Sequence, residues 1–135
     1  MKRVLIDSSA FLALEHPKER SHVLARSTLE ELAASKAALI TTNFIFDETY
    51  TLILTRLGRQ RAVDWGENCL AGRLVQLMRV DEEQEARAWE IILAFSDKDF
   101  SFTDATSFAV AESFGIEVAF SLDRHFREYG LSMLP

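Results

Sequence analysis

Arg3-Val4-Leu5-Ile6-Asp7-Ser8-Ser9 is the stretch on which the fold turns. Three consecutive apolar residues, two of them β-branched, run straight into an aspartate and a pair of serines. An unbroken apolar run is the mark of a strand covered on both faces, and such strands belong to parallel sheets flanked by helices. In open sheets of that kind, ligands bind just beyond the carboxyl ends of the strands. Asp7 stands at that edge, so the rest of the chain is searched for carboxylates that would join it.

The chain has 135 residues, a length suited to a single domain over 1–135. Its 48% apolar and 27% charged composition is that of a globular protein rather than a disordered one. No apolar run approaches the roughly 20 residues of a membrane span. Only Val4 to Ile6 precede Asp7 as an apolar core, too short for a secretory signal, so a cytoplasmic location is expected. The single cysteine, Cys69, forms no internal disulfide and reads as a small buried hydrophobe. A net charge of −6 argues against a nucleic-acid binder taken alone. Acids clustered around divalent cations would invert that logic locally, so the overall sign decides little.

Outward from residue 7, Ser8 or Ser9 is expected to cap a short helix through Phe11, Leu12 and Leu14 that ends near His16-Pro17. A helix over 21–35, a strand over 38–41 and a helix over 44–57 follow, with Thr42 or Asn43 as cap and Gly58 as terminator. The 44–57 helix is apolar around much of its circumference and is expected to be central. Next come a helix over 60–71 and a strand over 74–80. Asp81 and Gln84 form a capping box that opens a helix through Ala86, Trp89, Ile92, Leu93 and Phe95. After a polar loop, a helix led by Ser101 to Asp104 runs to Gly115. A strand over 118–121, a short basic helix and a strand-like 131–134 close the chain. The βα alternation predicts an α/β fold, a three-layer sandwich with a mainly parallel central sheet.

Asp7 and Asp123 each follow an apolar strand and therefore project from the same sheet edge. Asp104 opens a helix beside that edge, and Glu48 is the stranger on an otherwise apolar helix face. Converging carboxylates without basic partners repel one another, and a hard cation such as Mg²⁺ or Mn²⁺ resolves the conflict. One or two such ions can activate water and stabilise the leaving oxygen in phosphodiester cleavage. Each acid also has a plainer reading. Asp104 completes a capping box with Ser101, Asp7 opens a turn, Asp123 caps the helix at Arg124, and Glu48 is solvated. Asp97 and Asp99 read as loop solvation, although Asp99 is near enough in sequence to assist Asp104. His16, His22 and His125 read as surface residues without zinc-site spacing.

Four blocks together resemble a known family: the strand-Asp-Ser opening, Asn43-Phe44-Ile45-Phe46-Asp47-Glu48-Thr49, Ser-Phe-Thr-Asp-Ala at 101–105, and Ser-x-Asp-x-x-Phe at 121–126. They look like a PIN domain and are most similar to the single-domain VapC-type toxins, with blocks in order over essentially the whole chain. The resemblance implies an acidic Mg²⁺/Mn²⁺ site that cleaves single-stranded RNA, with Asp7, Glu48 and Asp104 as core acids and Asp123 as a more variable fourth. Ser8 and Ser121 match positions where a small hydroxyl supports the metal site. It further implies an antitoxin partner and a homodimer.

Asp7, Asp104 and Asp123 are then expected to hold metal, with Glu48 binding metal or orienting the attacking water. Arg124, His125 and Arg127 are expected to contact RNA phosphates, whereas Arg56, Arg59 and Arg61 fit a solvated face equally well. Tyr50, Trp65 and Trp89 fit core or interface better than base stacking. A haloacid-dehalogenase-like phosphatase needs an aspartate where Ser9 stands and a lysine beyond Lys98, so it is disfavoured. A receiver-like domain lacks the same lysine. A PIN-like module acting through complex formation alone is the alternative of a different class.

Overall fold

Strand β1 (Arg3–Ile6) is the centre of the sheet, and its Val4, Leu5 and Ile6 have no solvent exposure. The computed structural model describes residues 2–135. Around β1 lie β2 (Ala38–Thr42), β3 (Gln76–Met78), β4 (Val118–Phe120) and β5 (Ser132–Leu134) in the order β3-β2-β1-β4-β5. All four pairings are parallel, with Val4 opposite both Leu39 and Val118.

The helices are α1 (Ser8–Glu15), α2 (His22–Ala34), α3 (Asn43–Leu57), α4 (Arg59–Leu70), α5 (Glu82–Ala94), α6 (Phe102–Phe114) and α7 (His125–Tyr129). From β1 the chain steps outward to β2 and then β3; from β3 it returns over the sheet to β4 and β5. Right-handed crossovers therefore put α1 to α4 on one face and α5 to α7 on the other. Contacts of α1 with α2 and α3, of α3 with α4, and of α6 with α5 and α7 follow that division. The direction of winding reverses between β1 and β4, which makes the crevice beyond those two strand ends the topological switch point.

Several local expectations change. Asp7 itself, not Ser8 or Ser9, caps α1, its carboxylate accepting from the Ser9 N–H at 3.4 Å. β3 has three residues rather than seven. Its partner β2 ends at Thr42, where α3 begins, and the Val80 N–H turns away to the Asn43 side chain at 2.8 Å. On α5 the covered face is Gln84, Ala88 and Ile91, while Trp89 and Leu93 are 56% and 64% exposed. Apolar residues occupy two faces of that helix, and only packing on α6 selects one. α3 likewise buries a narrow stripe of Ile45, Thr49 and Ile53, so it is less enclosed than its composition suggests. Gly58 has a positive φ of +93° but an extended ψ, whereas Gly115 adopts the left-handed conformation that ends α6. No helix among the described residues is long and apolar enough to cross a membrane.

Thr42 links sheet to site. Its hydroxyl accepts from the Ile45 N–H at 3.1 Å and starts α3 at the sheet's carboxyl edge, with no solvent exposure. Thr42→Ala leaves that buried N–H without a partner and is expected to cost about 1–2 kcal/mol in urea denaturation.

Candidate metal centre at the switch point

Asp7 is 2% exposed at the end of β1, its backbone N–H donating to the Phe120 carbonyl at 3.0 Å. Its Oδ2 accepts from two hydroxyls, Ser9 at 2.9 Å and Ser121 at 3.0 Å. Each hydroxyl also accepts a backbone N–H from the turn after β4: Leu122 on Ser9 at 2.9 Å and Asp123 on Ser121 at 3.0 Å. With both hydrogens committed to Asp7, the 3.3 Å approach of the two serine oxygens is a contact within this network. Two serines thus tie the strand end that carries Asp7 to the turn that carries Asp123. Burial pushes the Asp7 carboxyl up to about 6; the Ser9 hydroxyl opposes this and the negative charge of Asp104 adds to it.

Asp104 is 6% exposed in the first turn of α6, where it forms a capping box with Ser101: the Asp104 N–H donates to Ser101 Oγ at 3.0 Å and the Ser101 N–H to Asp104 Oδ2 at 3.3 Å. The same Oδ2 lies 3.0 Å from His125 Nδ1. One side chain thus caps α6 and meets His125. Burial raises the Asp104 pKa, the His125 hydrogen bond opposes it, and the charge of Asp123 raises it further. Asp123 Oδ1 accepts the His125 backbone N–H at 2.9 Å and lies 3.5 Å from His125 Nδ1. Asp123 thus closes the turn ahead of α7, whose own cap residue is Arg124, with no side-chain cap bond.

Glu48, half-buried on α3, accepts a hydrogen bond from the Ser8 hydroxyl, while its neighbour Asp47 is exposed. Ser8 is thereby engaged with the helix glutamate and Ser121 with Asp7. Asp99 is exposed in the loop before α6 and stands outside the group of Asp104, Asp123 and His125.

The basic residues divide. Arg124 and Arg127 are exposed on either side of His125, Arg124 resting 3.8 Å from Glu128. His125 departs from the sequence reading: its ring turns inward onto two carboxylates instead of outward. All three histidines are half-buried, and His22 is fixed by the Ala13 carbonyl at 2.7 Å. Arg56 lies eight residues, about 12 Å along the axis of α3, from Glu48, Arg59 and Arg61 open α4 just beyond, and all three are exposed. Trp65 is core, packed on Phe11 and Phe46.

Sequence reasoning passed over Ser9 and undervalued His125. The signal for Ser9 was its place two residues after an aspartate at a strand end, where a hydroxyl folds back on the carboxylate. His125 carries no such signal, because its partner Asp104 is twenty-one residues away.

Among the described residues no lysine or arginine pairs with Asp7, Glu48, Asp104 or Asp123. One ligand atom each from Asp104, Asp123 and His125 lie within 4.8 Å of one another. Carboxylate oxygens gathered without basic partners, together with an imidazole nitrogen, are donor types suited to a divalent cation.

An all-parallel doubly wound sheet with acids beyond the ends of β1 and β4 is an α/β architecture of the kind that takes ligands at its switch point. The chain belongs to the PIN domain family, whose sequence model matches residues 4–131. It is 34% identical over 131 residues to the 23S rRNA-specific endonuclease VapC20 of Mycobacterium tuberculosis, covering 94% of each chain. A VapC ribonuclease of Archaeoglobus fulgidus is 29% identical over 136 residues, covering 96% of this chain and 86% of its own. The crystal structure of M. tuberculosis VapC20, described as a sarcin-ricin loop cleaving toxin, superposes with a TM-score of 0.85 at 31% identity over 95% of both chains. VapBC2 from Rickettsia felis, bound to a promoter DNA fragment, shares the fold at 9% identity, with a TM-score of 0.72 over 97% and 96% of the chains.

Proposed function

We propose that this protein is a divalent-metal-dependent endoribonuclease of the VapC type, the toxin of a toxin–antitoxin pair, acting in the cytoplasm on single-stranded or loop RNA. The observation that carries the proposal is the gathering of carboxylates at the β1/β4 switch point without a lysine or arginine to neutralise them. The relatedness to VapC20 makes a 23S rRNA loop the first substrate to try.

In this reading Asp7, Asp104 and Asp123 would hold Mg²⁺ or Mn²⁺, one or two ions, with Glu48 binding metal or orienting the attacking water. A bound ion supplies Lewis-acid charge opposite the scissile phosphate. The Ser9 and Ser121 hydroxyls keep the Asp7 carboxylate aimed by holding Oδ2. Ser8 holds Glu48 so that its second oxygen is available to orient a water for in-line attack. Arg124 and Arg127, exposed beside the acids, contact the RNA backbone and offset the charge of the chain. Trp89 and Leu93 supply exposed apolar surface of the kind that a second copy or an antitoxin buries.

The test is cleavage of end-labelled 23S rRNA loop and unstructured RNAs with Mg²⁺ or Mn²⁺, and with both removed by EDTA. Wild type is expected to cut one defined site only with metal, and Asp104→Asn to lose at least about 100-fold in rate. Metal-independent cleavage, or an Asp104→Asn rate equal to wild type, would overturn the proposal. A wild type inert on every RNA that nevertheless binds a co-expressed small protein tightly would favour a binding role instead.

A further inference from the structure

We infer that His125 is a nitrogen ligand of the metal site and that it shifts the site's preference from Mg²⁺ toward Mn²⁺; this rests on the metal-site reading above. Three observations carry it. The first is convergence: Nδ1 lies 3.0 Å from Asp104 Oδ2 and 3.5 Å from Asp123 Oδ1, so one nitrogen and two carboxylates address the same point. The second is restraint. The His125 backbone N–H is bonded to Asp123, the ring meets Phe100 edge-on at 5.3 Å and 74°, and the side chain is 23% exposed. The ring is held from both sides with Nδ1 facing inward.

The third is the far side of the ring. Nε2 stands 3.9 Å from Glu128 Oε1, an ion-pair distance longer than a direct hydrogen bond. Histidines that bind metal through one nitrogen characteristically give the other N–H to a carboxylate, which fixes the tautomer and raises the basicity of the ligating atom. With the hydrogen on Nε2, on the side of Glu128, the Nδ1 lone pair would be free for a cation held by Asp104 and Asp123. With the hydrogen on Nδ1, the same ring bridges the two carboxylates and limits their repulsion. One side chain thereby serves the site with and without its ion. Glu128 acts through His125 and is a positioning residue.

The consequence is selectivity. Mg²⁺ takes oxygen ligands and keeps its waters, so an imidazole adds little to its binding. Affinity of mixed nitrogen and oxygen sites rises through the first-row divalent ions, beginning with Mn²⁺. A site of carboxylates alone would not separate the two ions in this way.

The experiment uses the full chain with Mn²⁺ or Mg²⁺ alone as probe, comparing wild type, His125→Gln and Glu128→Gln. Electron spin-echo spectroscopy of bound Mn²⁺ is expected to show nitrogen hyperfine coupling in wild type and none in His125→Gln. Titration is expected to show Mn²⁺ affinity falling at least about tenfold in His125→Gln, less in Glu128→Gln, and Mg²⁺ affinity within about twofold of wild type in both. Urea denaturation without metal checks that the variants are folded. Bound Mn²⁺ without nitrogen coupling in wild type would overturn the assignment, as would equal losses for the two ions. A wild type with nitrogen-coupled Mn²⁺ that cleaves no RNA would keep the ligand and overturn the ribonuclease reading.

Discussion

Asp7→Asn is expected to make the metal-free protein about 3 kcal/mol more stable at pH 7 while removing its metal-dependent activity. The Asp7 carboxyl is 2% exposed, and its pKa rises from 3.8 to about 6 in the folded chain, burial being the main cause. A folded state that binds the proton more tightly than the unfolded state loses stability as pH climbs through the interval between the two values. Below 3.8 both states are protonated and Asp7 contributes nothing. Above about 6 both are ionised, and the full cost of about 3 kcal/mol is present. Asparagine keeps an oxygen for the Ser9 and Ser121 hydroxyls and removes the charge. In urea denaturation at several pH values, the advantage of the variant should grow from near zero at about pH 3.5 to its full value near pH 7. Mg²⁺ or Mn²⁺ should stabilise wild type far more than the variant. An Asp7→Asn protein less stable than wild type at pH 7 would show that the hydrogen bonds to the ionised carboxylate outweigh the cost of burying its charge.

Phe108→Ala is expected to cost about 3–5 kcal/mol, read as a fall in the urea midpoint with unchanged slope. Phe108 has no solvent exposure and stacks on Tyr129 at 4.4 Å with an interplanar angle of 3°. It also meets Phe100 and Phe126 edge-on at 5.0 and 5.1 Å. This cluster lies one helical turn beyond Asp104 on α6 and joins α6 to α7, which carries His125. The gap left by alanine should therefore loosen the registry of Asp104 against His125. At a temperature where the variant remains folded, its metal affinity should fall as well. A drop in stability with metal binding intact would show that Asp123 and His125 are held by their own turn rather than by the aromatic contact.

Much of the fold was legible because its signals are local. Val4 to Ile6, Ala38 to Thr41 and Val118 to Phe120 are short, mostly apolar runs, the first two leading into helix caps, and all three are parallel strands. The Asp81–Gln84 and Ser101–Asp104 capping boxes are both present. What helical spacing could not decide was which face is covered on a helix with apolar residues on two faces. Trp89 and Leu93 follow helical spacing, yet they face outward because α6 covers the stripe of Ala88 and Ile91.

By itself the sequence determined the layered parallel architecture and the candidate acids, since strand ends and helix starts are written in residues a few positions apart. Only the tertiary structure decided what surrounds each acid. Ser9 and Ser121 meet on one oxygen of Asp7 across more than a hundred residues, and His125 stands between Asp104 and Asp123. The physical reason is that a carboxylate's pKa and its usefulness to a cation depend on desolvation and on partners from other strands and helices. Those partners arrive at the carboxyl edge only when β1 and β4 pair and α6 and α7 pack behind them. Asp7 is an acid in any reading of the chain; the assembled sheet makes it a buried one.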